Sequence, residues 1–188
     1  MCCRYWADES PEIREIVEEM NKSPLVEKWH KTTGITTYGE IRPTNVVPVI
    51  ASNRSGEKSV FPMKWGYTGR TLLMNARTET APEKATFRDA WASYRCIVPA
   101  SWYFEWEHIL GNDGKKRTGD KYLIQPKGSS MTWLCGLYRI EDGLPVFVIC
   151  KTDAYLQYNN SCAFSSLRYI VILLLNGFDK TDKRPLRH

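Results

Sequence analysis

The stretch "MTWLCGLYRIEDGLPVFVIC" (131–150) does most to limit what this chain can fold into. Two β-rich runs meet at Asp142-Gly143, and an Asp-Gly pair between apolar runs is the turn chemistry of an antiparallel hairpin, because both central residues must accept positive φ. Further strands are expected at "VVPVIA" (46–51), which Pro48 pushes towards a sheet edge, at "LLMNA" (72–76) and at "RCIVPA" (95–100). The stretch "SPEIREIVEEMNKS" (10–23) predicts a surface helix. Ser10 is its N-cap, Pro11 lies in its first turn, and Ile13, Ile16, Val17 and Met20 share one face. A second helix is expected over "APEKATFRDAWASY" (81–94), with Thr80 and Glu83 spaced for a capping box. The order of elements is α+β with antiparallel pairing, not a βαβ series. With 188 residues, 43% hydrophobic and 25% charged, one domain over 1–188 is expected.

Charge and cysteine usage narrow the function. A net charge of +5 is compatible with a polyanionic partner without requiring one. The six cysteines form no C-x-x-C pair and there are only three histidines, so neither a zinc site nor another cofactor is expected. The N-terminus lacks an apolar leader and "IVILLL" (170–175) is too short to span a bilayer, so reduced thiols, a cytoplasmic location and no membrane partner are expected.

Two strand-like stretches carry polar groups that alternation would align. In "LLMNARTETA" (72–81), Asn75, Arg77 and Glu79 share one face, while Met74, Ala76 and Thr78 share the other. In "ASWYFEWEH" (100–108), Tyr103, Glu105 and Glu107 alternate with Trp102, Phe104 and Trp106. An aromatic setting would desolvate Glu105, raise its pKa and suit it to proton transfer near neutrality. The competing reading is a pair of edge strands with solvated charged faces.

The opening "MCCRYW" adds a different chemistry. Removal of Met1 would leave Cys2 with a free α-amine beside its thiol, a 1,2-aminothiol able to condense with an aldehyde and close a five-membered thiazolidine. Cys3 cannot do this, because its nitrogen is an amide. The α-amine and thiol titrate near ~8 and ~8.5, so both nucleophiles are present at neutral pH. The alternative is a small buried hydrophobe near the chain start.

The blocks "MCCRY" (1–5), "GEIRPTNVVPVI" (39–50), "MKWGY" (63–67), "LLMNARTETAPEKATFRDAW" (72–91) and "RCIVPASWYFEW" (95–106) resemble, in order and spacing, those of the SOS-response-associated peptidase (SRAP) family. The resemblance covers about residues 1–150. It implies a fold of twisted β-sheet or barrel flanked by helices. It also implies a bacterial-type sensor of abasic sites in single-stranded DNA, acting in the DNA-damage response and associated with the nucleoid when bound. Such a sensor removes its own Met1, a peptidase-type activity, and forms a thiazolidine DNA–protein crosslink. Carried over by position, Cys2 is the nucleophile, Asn75 orients the sugar remnant, Glu105 transfers protons, and Arg4 and Arg77 hold phosphates. Trp65 and Tyr67 are candidates for stacking on bases or for the core. Nothing in the sequence suggests an obligate oligomer, and a monomer is expected.

After "FVIC" the chain departs from the family, over 151–188. The resemblance implies a histidine in an I-H-(D/N)-R-M-P segment; matching "SSLRYIVIL" puts Ser166 in its place and Arg168 in the arginine's, while the tail "DKTDKRPLRH" offers Thr181. Neither restores a histidine. The family's second tryptophan after the W-G block is also missing. Two other function classes therefore stand beside the covalent sensor. One is a thiol hydrolase using Cys2 as N-terminal nucleophile, and the other a non-covalent single-strand DNA-binding module.

Overall fold

The computed structural model describes residues 3–111, 113–125, 128–151 and 184–185. In chain order its elements are β1 (Tyr5–Ala7), α1 (Pro11–Asn21), α2 (Leu25–His30), β2 (Gly39–Ile41), β3 (Val46–Ser52), β4 (Lys58–Trp65) and β5 (Asn75–Arg77). They continue with α3 (Arg88–Ser93), β6 (Arg95–Ala100), β7 (Trp102–Leu110), β8 (Lys116–Ile124), β9 (Thr132–Glu141), β10 (Leu144–Lys151) and β11 (Arg184–Pro185). The fold is α+β, dominated by strands.

One sheet has the order β11-β8-β7-β1-β2, and the other β4-β3-β6-β9-β10-β5. An additional β4–β10 pairing closes β4-β3-β6-β9-β10 into a ring, so the second sheet is barrel-like and exposes fewer edges. Pairing is antiparallel except along one side of β10, which runs parallel to β4 at Val146 and Phe147 and then to β5 at Ile149–Lys151. The β9–β10 hairpin forms as the Asp-Gly pair requires: Glu141 faces Leu144, and Asp142 and Gly143 take φ of 49° and 77°.

The chain crosses from one sheet to the other at Ser101, which is fully buried. Its N–H donates to the Trp6 carbonyl, its hydroxyl accepts from the Asp8 amide, and its carbonyl accepts from Thr132 Oγ1. Both backbone polar groups of buried Ser101 are therefore answered. Between the sheets lies a core of Tyr5, Ala7 and Ile41 from the first and Val47, Val49, Met63, Trp65, Val98, Phe147 and Ile149 from the second. Helix α1 has the expected cap, with Ser10 Oγ accepting from the Ile13 amide, and it buries Ile13, Val17 and Met20 against Val60 and Met131.

Two local expectations change. The helix over 81–94 shortens to Arg88–Ser93, because residues 80–87 form separate turns (the Thr80 carbonyl accepts from the Glu83 and Lys84 amides, the Lys84 carbonyl from those of Phe87 and Arg88) that carry Ala81 and Phe87 into a second core. Thr80 Oγ1 is buried and has no hydrogen-bond partner among the described residues, so the capping box does not form. Strand β3 lies inside the sheet rather than at its edge. Its ladder with β6 covers only Ile50 and Ala51, however, so Pro48, opposite Pro62 of β4, stands where the missing N–H costs no ladder bond. The expectations on Ser166, Arg168 and Thr181 lie outside the described residues, as does Cys2.

Candidate functional site

Strand β1 runs antiparallel to β7 with Tyr5 opposite Tyr103 and Trp6 opposite Trp102, and the Phe104 amide donates to the Arg4 carbonyl at 3.1 Å. The N-terminal segment thus travels along β7 towards Glu105. Half-buried Cys3 is the next residue out. Alternation turns Tyr103 into the core between the sheets and puts Glu105 on that same side of β7. There Glu105 meets Lys151, the last residue of β10, whose ammonium donates to Oε1 in a part-buried ion pair. The contact joins the two sheets.

Of the aromatics around Glu105, Tyr103 shares its face of β7 and Tyr122 of β8 stands opposite it, while Trp102 and Phe104 lie on the other face. Trp102 stacks on Trp6 with ring centroids 5.7 Å apart, and Lys121 sits 4.1 Å from the Phe104 ring centroid. Lys151 brings a cation to Glu105 in addition to this aromatic surround.

Strand β5 completes the group. It runs parallel to β10 in a register that sets Asn75 beside Ile149, Ala76 beside Cys150 and Arg77 beside Lys151. Ala76 is fully buried in the second core, so Asn75 and Arg77 turn to the opposite face, Asn75 half-buried and Arg77 exposed. Lys151, which meets Glu105 of β7, is therefore the β10 neighbour of Arg77, and Asn75 lies two residues before Arg77 on the same face of β5. Glu79 does not join the row, because β5 ends at Arg77, whose carbonyl accepts from the amides of Thr80 and Ala81.

Arg4 is placed differently. Its Nη1 donates to Glu40 Oε1 at 2.9 Å across β1–β2, and Glu40 also accepts from Arg42 at 2.6 Å. The Arg42 hydrogen bond, aided by the charge of Arg4 and opposed by partial burial, holds the Glu40 carboxyl below its ordinary value.

Trp65 and Tyr67 are both fully buried, and neither ring offers a face to a base. The stacking role open to them from the sequence gives way to packing. Trp65 Nε1 donates to the Met74 carbonyl at 2.9 Å, and the Ile149 amide donates to the same oxygen at 3.1 Å. The residue before Asn75 is thereby fixed from two sides. Tyr67 lies between the Phe87 ring at 5.9 Å and the Arg139 guanidinium at 4.2 Å, and burial pushes its hydroxyl well above the usual range.

Lys151 was not legible as a site residue. It ends the apolar run "PVFVIC", where a lysine reads as an ordinary solvated strand end, and only the packing of β10 against β7 brings it to a carboxylate 46 residues away. Among the described residues no group of three His, Cys, Asp or Glu side chains could hold a metal ion, and no helix is long and apolar enough to cross a membrane.

A family model described as SOS response associated peptidase (SRAP) matches residues 1–160. The chain belongs to the SRAP family. It is 36% identical over 151 residues to the abasic site processing protein YoqW of Bacillus subtilis, covering 73% of this chain and 60% of that one. It is also 26% identical over 140 residues to the abasic site processing protein YobE of the same organism, covering 68% and 57%. The chain thus spans about three fifths of the length of these SRAP relatives. Among solved structures, a phage-related protein of Bordetella bronchiseptica superposes with a TM-score of 0.61 at 17% identity, covering 100% of this chain and 95% of that one. A protein of Bacteroides thetaiotaomicron gives a TM-score of 0.55 at 24% identity over 83% and 71%. These likenesses support the fold.

Proposed function

We propose that this SRAP-family chain processes abasic sites in DNA, capturing them in single strands as a covalent crosslink through Cys2. The observation that carries the reading is the ion pair of Glu105, on the strand β7 along which β1 runs, with Lys151, the register neighbour of Arg77 on the strand face that also bears Asn75. Relatives named as abasic site processing proteins support the same substrate.

The chemistry begins with removal of Met1, by the chain itself. An abasic deoxyribose opens to an aldehyde at C1′. The Cys2 amine adds to that carbon, and water leaves to give an imine. The thiolate then adds to the imine carbon, the nitrogen takes up a proton, and the thiazolidine ring is closed with a net loss of one water. Glu105 moves protons in the addition and dehydration steps. Asn75 hydrogen-bonds the sugar remnant, and Arg77 holds a flanking phosphate with its guanidinium fork. The protein acts as a monomer.

The test is incubation of Met1-processed protein with a single strand bearing one abasic site. A heat-stable shifted band is expected with wild type and Cys3→Ala, and none with Cys2→Ala or a form that keeps Met1. Crosslinking by the Met1-retaining form at the wild-type rate would sink the mechanism. Peptide cleavage without crosslinking would mark a thiol hydrolase, and binding without either a non-covalent module.

A further inference from the structure

We propose that Lys151 is a positioning residue for Glu105, holding its carboxylate beside the line that β1 takes along β7. The inference rests on the reading of Glu105 as the proton-transfer group. Glu105 stands on β7 of one sheet and Lys151 at the end of β10 in the other. Their ion pair is part-buried, with side-chain exposures of 20% and 29%.

A glutamate has three side-chain torsions to fix before its oxygens point anywhere in particular, and proton transfer needs heavy atoms at roughly 2.6–3.2 Å. An anchor from the same strand would move with the carboxylate. Lys151 instead ties it to the sheet that carries Asn75 and Arg77, since β5 and β10 are hydrogen-bonded neighbours and Lys151 is in register with Arg77. The Thr78 amide donates to the Lys151 carbonyl at 2.9 Å, so the backbone behind the ammonium is itself fixed to the end of β5. The distance between proton-transfer group and sugar-binding group is thereby set by backbone pairing and one ion pair. The ammonium acts on the carboxylate and has no bond-making step of its own.

The experiment measures crosslinking rates of Met1-processed wild type, Lys151→Met, Glu105→Gln and the double variant at saturating abasic single strand, with binding of an intact strand alongside. Lys151→Met should slow the saturated rate about 10- to 100-fold, the scale of a small misplacement of a reacting group. Intact-strand affinity should stay within about twofold, and Lys151→Arg should recover most of the rate, because a misplacement is corrected by restoring the charge. On the Glu105→Gln background, Lys151→Met should cause no further fall, since the two act as one unit. The proposal is overturned by a Lys151→Met rate equal to wild type. It is equally overturned by the same fold-loss on both backgrounds, or by weakened intact-strand binding with a shallower salt slope, which marks a phosphate contact. Thermal melts guard against misfolding, and if Lys151→Met melts early, Lys151→Gln takes its place under the same criteria. Failure of wild type itself to crosslink would instead remove the reading of Cys2, and this inference with it.

Discussion

A buried hydroxyl and an exposed guanidinium illustrate opposite fates for residues that looked alike as candidates. Tyr67 Oη has no hydrogen-bond partner among the described residues, so its desolvation is uncompensated. Tyr67→Phe should therefore be neutral or stabilising by up to about 1 kcal/mol in urea unfolding, and should leave DNA binding unchanged. A loss of binding would restore Tyr67 to the interface. Arg77 is exposed at the end of β5. If it holds a phosphate, Arg77→Ala should weaken abasic and intact strands alike and reduce the slope of log K against log salt by about 1. An unchanged slope would mean that Arg77 faces another protein group. The sequence placed Asn75 and Arg77 on one face by alternation, which needs only three residues of strand. It could not show that Trp65 is the buried donor to Met74, because a tryptophan beside a glycine reads equally as stacking platform or as core.

Elements were legible where local chemistry decides them and illegible where packing does. Ser10 and Pro11 announce α1, and Asp142-Gly143 announces the β9–β10 turn, because caps and positive φ are properties of a few adjacent residues. The short α3 and the internal position of β3 depend on where Ala81, Phe87 and Pro48 find partners far along the chain. The far end of β9 carries a further device. Glu141 accepts from the Thr68 amide at 3.0 Å and from Arg139 Nη2 at 2.6 Å, bonds that outweigh its burial and hold its carboxyl below the ordinary value. A carboxyl depressed in the folded state contributes stability that is full above its unfolded value, about 4.3, and is lost as pH falls through the lower folded value. Glu141→Gln should thus cost about 1–2 kcal/mol at pH 7. The gap to wild type should narrow as pH drops below about 4. A gap constant between pH 7 and pH 3 would show that the charge of Glu141 is not what pins the loop.

At the scale of the whole molecule, the site depends on ring closure. Glu105 belongs to one sheet, while Asn75, Arg77 and Lys151 hang on β10, which the ring holds through β9 on one side and β4 on the other. The family blocks in the sequence pointed to Asn75, Arg77 and Glu105 without showing this dependence, since the ring closes by a pairing of strands far apart in the chain, Val146 of β10 with Lys64 of β4. Gly136 of β9 is where it can be tested. A Cβ built there would lie 2.8 Å from Cys96 Sγ on β6 and 2.9 Å from the Val148 carbonyl on β10, so three strands of the ring meet at a position with no room for a methyl group. The carbonyl cannot turn aside without breaking the sheet. Gly136→Ala should therefore destabilise by about 1–3 kcal/mol, the usual cost of forcing an extra carbon into a packed core, in spite of alanine's lower conformational entropy when unfolded. Because the strain falls on β10, crosslinking should decline before the fold melts, with the rate at a temperature below the transition falling further than the folded fraction does. Thermal melts paired with crosslinking rates over the same temperatures would read both quantities. A variant as stable as wild type would show that β6, β9 and β10 are looser at Gly136 than the ring geometry requires, and a rate that merely tracks the folded fraction would show that the site is insensitive to the seat of β10.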